Sequence, residues 1–201
     1  MRMKLILAST SRYRRELLER LHVSFDAIPP GIDETAHPNE RPGPLSLRLS
    51  VEKAAAVSEA HPDAVVIGSD QTATIDGLQS IGKPGTHERA VAQLRAASGQ
   101  ALVFHTSMAV VRARDRFQRT ITVDTRIRFR VLTDREIEAY LQAENPYDCA
   151  GAAKCEGLGI SLLESIESSD PTAIIGLPLI SLASQLREAG ISIPGPLASH
   201  R

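Results

Sequence analysis

Cysteine is almost missing from this chain. Cys149 and Cys155 are the only two in 201 residues, and their spacing fits neither a CxxC pair nor a zinc motif. A disulfide framework is thereby excluded, and a reduced, cytoplasmic setting is expected. No apolar run approaches the roughly 18 residues of a membrane span, and charge interrupts the apolar start too early for a signal-peptide core. The formal net charge is only −1, so the overall balance draws the chain neither to nucleic acid nor to an acidic membrane surface. GxxxxGK[ST] is absent, which excludes a P-loop, and without GxGxxG a dinucleotide fold is not indicated. Internal repeats and low-complexity tracts are missing as well.

What is present is ordinary globular material. With 42% hydrophobic and 23% charged residues, the chain can bury a sizeable core as one domain or as two small lobes. Lys4 to Leu21, KLILASTSRYRRELLERL, opens with an apolar strand at Leu5–Leu7. A hydroxyl-rich turn follows, and then a helix with Ser11 as N-cap and Leu17, Leu18 and Leu21 on one face. The free N–H groups of that helix start, the hydroxyls of Ser9, Thr10 and Ser11, and Arg12 or Arg14 would receive an anion, phosphate above all. From this stretch alone, an anion site and a plain strand–turn–helix connection are equally supported.

The chain then continues with a second strand expected at Val23–Ile28 and a proline-rich loop carrying Asp33 and Glu34. These carboxylates read either as solvated loop residues or as oxygen donors for Mg²⁺. A helix is expected from Leu45 to about Glu59, with Lys53 near its middle. AVVIGSDQTATIDG reads as two strand segments, Ala64–Ile67 and Thr72–Ile75, interrupted at Gly68-Ser69, with Asp70 held at a strand end. Gly82-Lys83-Pro84 puts a lysine in a turn, and Thr86 caps a helix to Ala97. Two long strands follow, Ala101–Arg112 and about Gln118–Leu132. On the second, Arg126, Arg128 and Arg130 share one face, but so little aromatic material lies between them that a solvated face is favoured over RNA. Thr133 and Glu136 form a capping box for a helix over Asp134–Gln142. A glycine-rich stretch around Asp148, Lys154 and Glu156 suits a loop that approaches a ligand closely or an ordinary connection. A strand near Gly159–Ile166, an element at Thr172–Ile175 and a helix over Pro178–Ala189 complete the chain. The tail from 191 to 201 carries no visible chemistry. Alternating strands and helices with a long antiparallel pair point to α/β or α+β with a mixed sheet.

The pieces LILASTSRYRRELL, DET, EKA, VIGSDQ, GKP, ASG, DCAGAAKCEGLG and GLPL, in this order and spacing from about Lys4 to Gly190, resemble the Maf family of nucleotide pyrophosphatases. The resemblance implies an α/β fold, similar to that of the inosine triphosphate pyrophosphatases: one Maf-like domain over 1–201, with a mixed twisted sheet flanked by helices and two lobes around a central cleft. It implies a cytoplasmic, metal-dependent enzyme, using Mg²⁺ or Mn²⁺, that cleaves a nucleoside triphosphate between the α and β phosphates. By position, Asp70 matches the catalytic acid/base. Ser9, Ser11, Arg14, Lys53 and Lys83 match phosphate-facing residues. Glu34 matches a second carboxylate that partners the metal with Asp70. A small-molecule nucleotide is the implied partner, without nucleic acid or membrane, and a homodimer is compatible with it. Tyr13, Gln71 and Glu156 resemble the branch that hydrolyses 7-methyl-GTP, whose cationic base favours an aromatic face and a carboxylate. The alternatives are the branch acting on dTTP and UTP, with AGAYGIQG in the glycine-rich loop, and a non-enzymatic cell-division regulator. Typical members have Pro after the second turn serine, where Arg12 stands here.

Overall fold

The computed structural model describes residues 3–195, so the end of the 191–201 tail lies outside the described residues. Its strands are β1 (Leu5–Ala8), β2 (Asp26–Ala27), β3 (Val65–Thr74), β4 (Ala101–Arg112), β5 (Phe117–Phe129) and β6 (Leu163–Ser168). They form one six-stranded sheet in the order β2-β1-β3-β4-β5-β6. β1 runs parallel to β2 and β3, and all later pairings are antiparallel. The helices are α1 (Arg12–Glu19), α2 (Pro42–Ala60), α3 (His87–Ala97), α4 (Asp134–Glu144) and α5 (Leu179–Glu188). The architecture is a mixed α/β sheet flanked by helices.

Helices cover both faces of the sheet, which explains why β1 and the first residues of β3, Val65–Ile67, are continuously apolar. Leu5, Leu7, Val65 and Ile67 point to the face where Leu17 and Leu18 of α1 and Leu182 and Leu186 of α5 pack. Ile6, Ala8 and Val66 point to the other face, against Ala54 and Val57 of α2. A separate cluster lies further out, where Leu94 of α3 and Ile137 and Leu141 of α4 cover Leu102, Phe104, Ile127 and Phe129. The core is therefore built in blocks along the sheet.

Several expected elements take a different form. The strand expected at Val23–Ile28 shrinks to β2, of only two paired residues. The helix expected from Leu45 begins at Pro42, since proline is preorganised for the first helical position. The strand expected near Gly159–Ile166 is a 3-10 turn, Leu158–Leu162, followed by β6, and Ala173–Ile175 is also 3-10. The Thr133–Glu136 capping box and the Thr86 cap form as expected. Arg126 and Arg128 are exposed on the sheet face.

The main difference is at Gly68-Ser69, which does not interrupt a strand: β3 runs unbroken from Val65 to Thr74. Glycine here answers helix packing. A Cβ on Gly68 would lie 2.1 Å from the Ser50 carbonyl oxygen and 2.6 Å from the Ala54 nitrogen, so α2 rests its backbone directly on β3. Asp70 is thus in mid-strand and not at a strand end. The strand end that matters is that of β1, whose last partner is Gly68. Beyond it, that edge of β3 is unpaired until the single Ala73–Ile81 bridge. Residues on both faces of β3 can reach round this open edge.

Gly68→Ala should cost about 3 kcal/mol of stability, because the clash is with backbone that cannot rotate away. Urea unfolding checks this, and a midpoint within error of the parent's would contradict the packing described.

Candidate active site

A cavity of about 660 Å³ opens at that free edge. Its first wall is the end of β1 and the start of α1. The chain turns sharply after Leu7, whose carbonyl accepts from the Ser9 amide at 3.0 Å. Ser9 Oγ then accepts the Ser11 amide at 3.1 Å, and Ser11 Oγ accepts the Arg14 amide at 3.4 Å as the helix cap. No acidic residue sits in the first turn of α1, so its positive end faces the cavity uncompensated. Ser9, Ser11, Tyr13 and Arg14 all line the cavity. Burial pulls the Arg14 guanidinium below its usual pKa, and the Asp70 and Glu34 carboxylates pull it back up.

The second wall is the pair of α2 and β3. Lys53, only 4% exposed, reaches from mid-helix to Asp70, 7% exposed. Its Nζ lies 2.7 Å from Asp70 Oδ1 and 2.9 Å from Glu34 Oε1. Three residues from separate parts of the sequence therefore meet at one point. Among the described residues the donor to Asp70 reaches only Oδ1, which leaves Oδ2 open for a water. Glu34 comes from the proline-rich loop, which Arg48 ties down. The Arg48 guanidinium holds Glu40 at 2.7 and 2.8 Å and the Thr35 carbonyl at 3.1 Å, keeping the Glu40 carboxyl down at about 2.

Gln71 approaches from the opposite face of β3. Its Nε2 donates to Thr106 Oγ1 at 2.9 Å and to the carbonyls of Ala173 and Ile174 at 3.0 and 3.1 Å. Thr106 gives its own proton to Ala173, so the amide orientation is fixed by acceptors on every side. What Gln71 can offer the cavity is its carbonyl oxygen. The Gly176 carbonyl accepts from Arg14 Nε at 2.9 Å and lies 3.0 Å from Ser69 Oγ. This 173–176 segment is organised by Asp170, a carboxylate only 1% exposed that lies outside every motif singled out in the sequence. Asp170 accepts from Thr172 and from the Ile180 and Ser181 amides at the start of α5. An aspartate shortly before a helix is a capping signal, but here it caps across ten residues, outside the local window.

Lys83 lines the cavity from an exposed segment. The Gly85 amide bonds the Tyr147 carbonyl at 3.0 Å and Gln93 bonds the Gly82 carbonyl at 3.0 Å, so this segment is tied to α3 and to the stretch before Asp148. Glu156 sits on a loop clamped by two α4 residues one turn apart. The Tyr140 hydroxyl bonds the Ala152 carbonyl and the Lys154 amide at 3.1 and 3.0 Å. Glu144 pairs with Lys154 and accepts the Leu158 amide at 2.7 Å. Gly159 fits because a Cβ there would stand 2.5 Å from the Lys154 carbonyl. Desolvation pushes the Glu156 carboxyl up, with Lys154 opposing and Glu144 and Asp148 adding to the push. The Tyr13 hydroxyl lies 3.2 Å from Asp148, and desolvation is the main cause that pushes it up to about 12.

The residues that the family resemblance assigns to phosphate, base and metal thus line this one cavity. Asp33, the other candidate Mg²⁺ ligand of the loop, does not: its carboxylate accepts from the Thr35 amide and hydroxyl at 2.9 and 2.7 Å. For a divalent metal, no group of three or more His, Cys, Asp or Glu side chains among the described residues is placed to hold an ion. Glu34 and Asp70 do converge on a single positive point, now the Lys53 ammonium. Two convergent carboxylates fit a hard cation that takes its remaining ligands from substrate phosphates. No helix of the described residues is long and apolar enough to cross a membrane.

The family model described as "Maf-like protein" matches residues 4–189. A Bordetella pertussis protein named 7-methyl-GTP pyrophosphatase is 58% identical over 197 residues, covering 98% of this chain and 96% of its own. Relatives of the same name from Polaromonas sp. and Burkholderia pseudomallei are 55% and 56% identical, over 98% and 97% of this chain and 89% and 93% of theirs. Among solved structures, a HAM1 protein from Coxiella burnetii gives a TM-score of 0.47 at 16% identity, covering 64% of this chain and 73% of that one.

The Cys149 thiol, 3.8 Å from the Tyr13 hydroxyl, is pushed up to about 11, chiefly by burial. A raised thiol pKa means less thiolate at neutral pH. Iodoacetamide should therefore label Cys149 at pH 8 roughly a hundredfold more slowly than a free thiol, and faster as pH rises. Labelling at the free-thiol rate, followed by mass spectrometry, would contradict the burial of this corner.

Proposed function

Because the chain belongs to the Maf family, we propose that this cleft hydrolyses 7-methyl-GTP to 7-methyl-GMP and pyrophosphate. The observation that carries the proposal is the meeting of Lys53, Asp70 and Glu34 beside the open helix end at Ser9–Arg14. A triphosphate is strongly anionic, so the cleft must neutralise charge and deliver a water. Ser9, Ser11 and the first amides of α1 bind phosphate oxygens, while Arg14, Lys53 and Lys83 supply the positive charge. Asp70 Oδ2 accepts a proton from water as the water oxygen bonds the α-phosphorus. The bond from that phosphorus to the bridging oxygen of the β-phosphate breaks, and pyrophosphate departs. Lys53 orients Asp70 through Oδ1, so the base has one oxygen anchored and one available.

Glu34 and Asp70 are the residues that would hold Mg²⁺ or Mn²⁺ together with the phosphates. The ion would supply further neutralisation of the charge that develops on the departing pyrophosphate. For the base, Tyr13 offers an aromatic face and Glu156 a carboxylate. N7-methylation makes guanine cationic, which suits both groups and suits a neutral pyrimidine less. Gln71 contributes an acceptor oxygen. This specialisation for a modified nucleotide fits a house-cleaning activity in the cytoplasm.

Asp70→Asn should lower kcat by about 10³-fold, the range expected for loss of a positioned base. The readout is pyrophosphate release from 7-methyl-GTP, and retention of more than a tenth of the activity would remove Asp70 from the mechanism. In a panel of nucleotides, 7-methyl-GTP should exceed GTP, dTTP and UTP in kcat/KM. Equal or greater activity on dTTP and UTP would move the enzyme to the pyrimidine branch. Glu156→Gln should lower the preference for the methylated base over GTP by roughly fivefold, since a neutral amide loses the charge attraction and keeps the shape. An unchanged ratio between the two substrates would show that Glu156 does not sense the base charge.

A further inference from the structure

One corner of the cleft already holds a cation. The Arg12 guanidinium carbon lies 4.7 Å from the centroid of the Tyr13 ring. Its Nη2 donates to the Tyr13 hydroxyl at 2.7 Å and stands 3.6 Å from the Asp148 carboxylate. Among the described residues these are the groups that hold it, and the Arg12 and Asp148 side chains are 65% and 54% exposed. Exposed pairs of this kind are weak and readily exchanged. A flat, delocalised positive charge therefore rests against an aromatic ring and a carboxylate, in a place that a ligand can reach.

We propose that Asp148 is a specificity residue for a positively charged base, and that Arg12 fills its place until such a base displaces it. This rests on the pyrophosphatase function proposed above. A 7-methylated guanine has the same features as the guanidinium: planarity, spread positive charge and N–H donors at its edge. It can take over the contacts to Tyr13 and Asp148 one for one. The cost of moving Arg12 is the same for every nucleotide, but only a cationic base recovers it at Asp148. A neutral guanine leaves that carboxylate without a charged partner. Asp148 thus discriminates by charge, while Arg12 sets a common threshold that every substrate must cross.

The test is kcat/KM for 7-methyl-GTP and GTP in the parent enzyme and in Asp148→Asn, Asp148→Glu and Arg12→Ala. Asp148→Asn should lower the ratio of methylated to unmethylated substrate about fivefold, and Asp148→Glu should keep most of it, which separates charge from fold. Arg12→Ala should lower KM for both nucleotides by a similar factor of about two to three. An unchanged ratio in Asp148→Asn overturns the role of Asp148. A higher KM for both nucleotides in Arg12→Ala makes Arg12 a phosphate contact and overturns the displacement. Turnover of 7-methyl-GTP by the parent enzyme tests the function itself, so the two ideas fail separately.

Discussion

The ammonium of Lys53, drawn out of water between Asp70 and Glu34, is the interaction on which the site depends. Burying a lysine is unfavourable unless its charge is met, and here it is met by a carboxylate from the sheet and another from a loop. Neither carboxylate would be held in place by its own surroundings alone. Asp70 stands in a strand whose edge is open, and Glu34 is 57% exposed on a loop without regular structure. The lysine converts three distant segments into one wall, and that wall can then present a single free oxygen of Asp70 to a water.

A second layer of order reaches the site through carbonyls. Asp170, buried behind α5, fixes the 173–176 segment, and that segment hands its carbonyl oxygens to Gln71 and Arg14. Two side chains that line the cavity, one from β3 and one from α1, are therefore set by the same short stretch of backbone. The clamp of Tyr140 and Glu144 does comparable work for the loop carrying Glu156. In each case a buried or half-buried polar group satisfies backbone donors and acceptors that a glycine-rich or turning chain would otherwise leave open.

Much of this was legible in the sequence because the signals are local. The Ser11 cap, the Thr133–Glu136 box and the exposed pair Arg126 and Arg128 at period two on β5 depend on neighbours within a few residues, and each appears where the pattern places it. The candidate site residues were named through short motifs whose order resembles one family, and the fold brings residues of each of those motifs except ASG to a single cavity. What the sequence could not display is contact across the fold. Gly68 reads as a strand breaker until α2 is seen lying on it, and Asp170 reads as a loop residue until its bonds to the start of α5 are seen. Arg12 is legible as an extra cation at the turn, but its rest position over Tyr13 and against Asp148, 136 residues on in the chain, belongs to tertiary structure alone.

The backbone contact at Gly68 has a mechanical side. Ser50 and Ala54 bracket Lys53 on α2, and Gly68 lies two residues from Asp70 on β3. The two halves of the ion pair are thus mounted on segments that touch main chain to main chain, with no side chain between them to change rotamer. This wall behaves as a single stiff plate. The opposite wall, from Gly82 to Gly85 and from Asp148 to Glu156, is fastened by individual side-chain and turn hydrogen bonds. Movement that opens the cavity therefore falls more easily to that side than to the contact between Asp70 and Lys53.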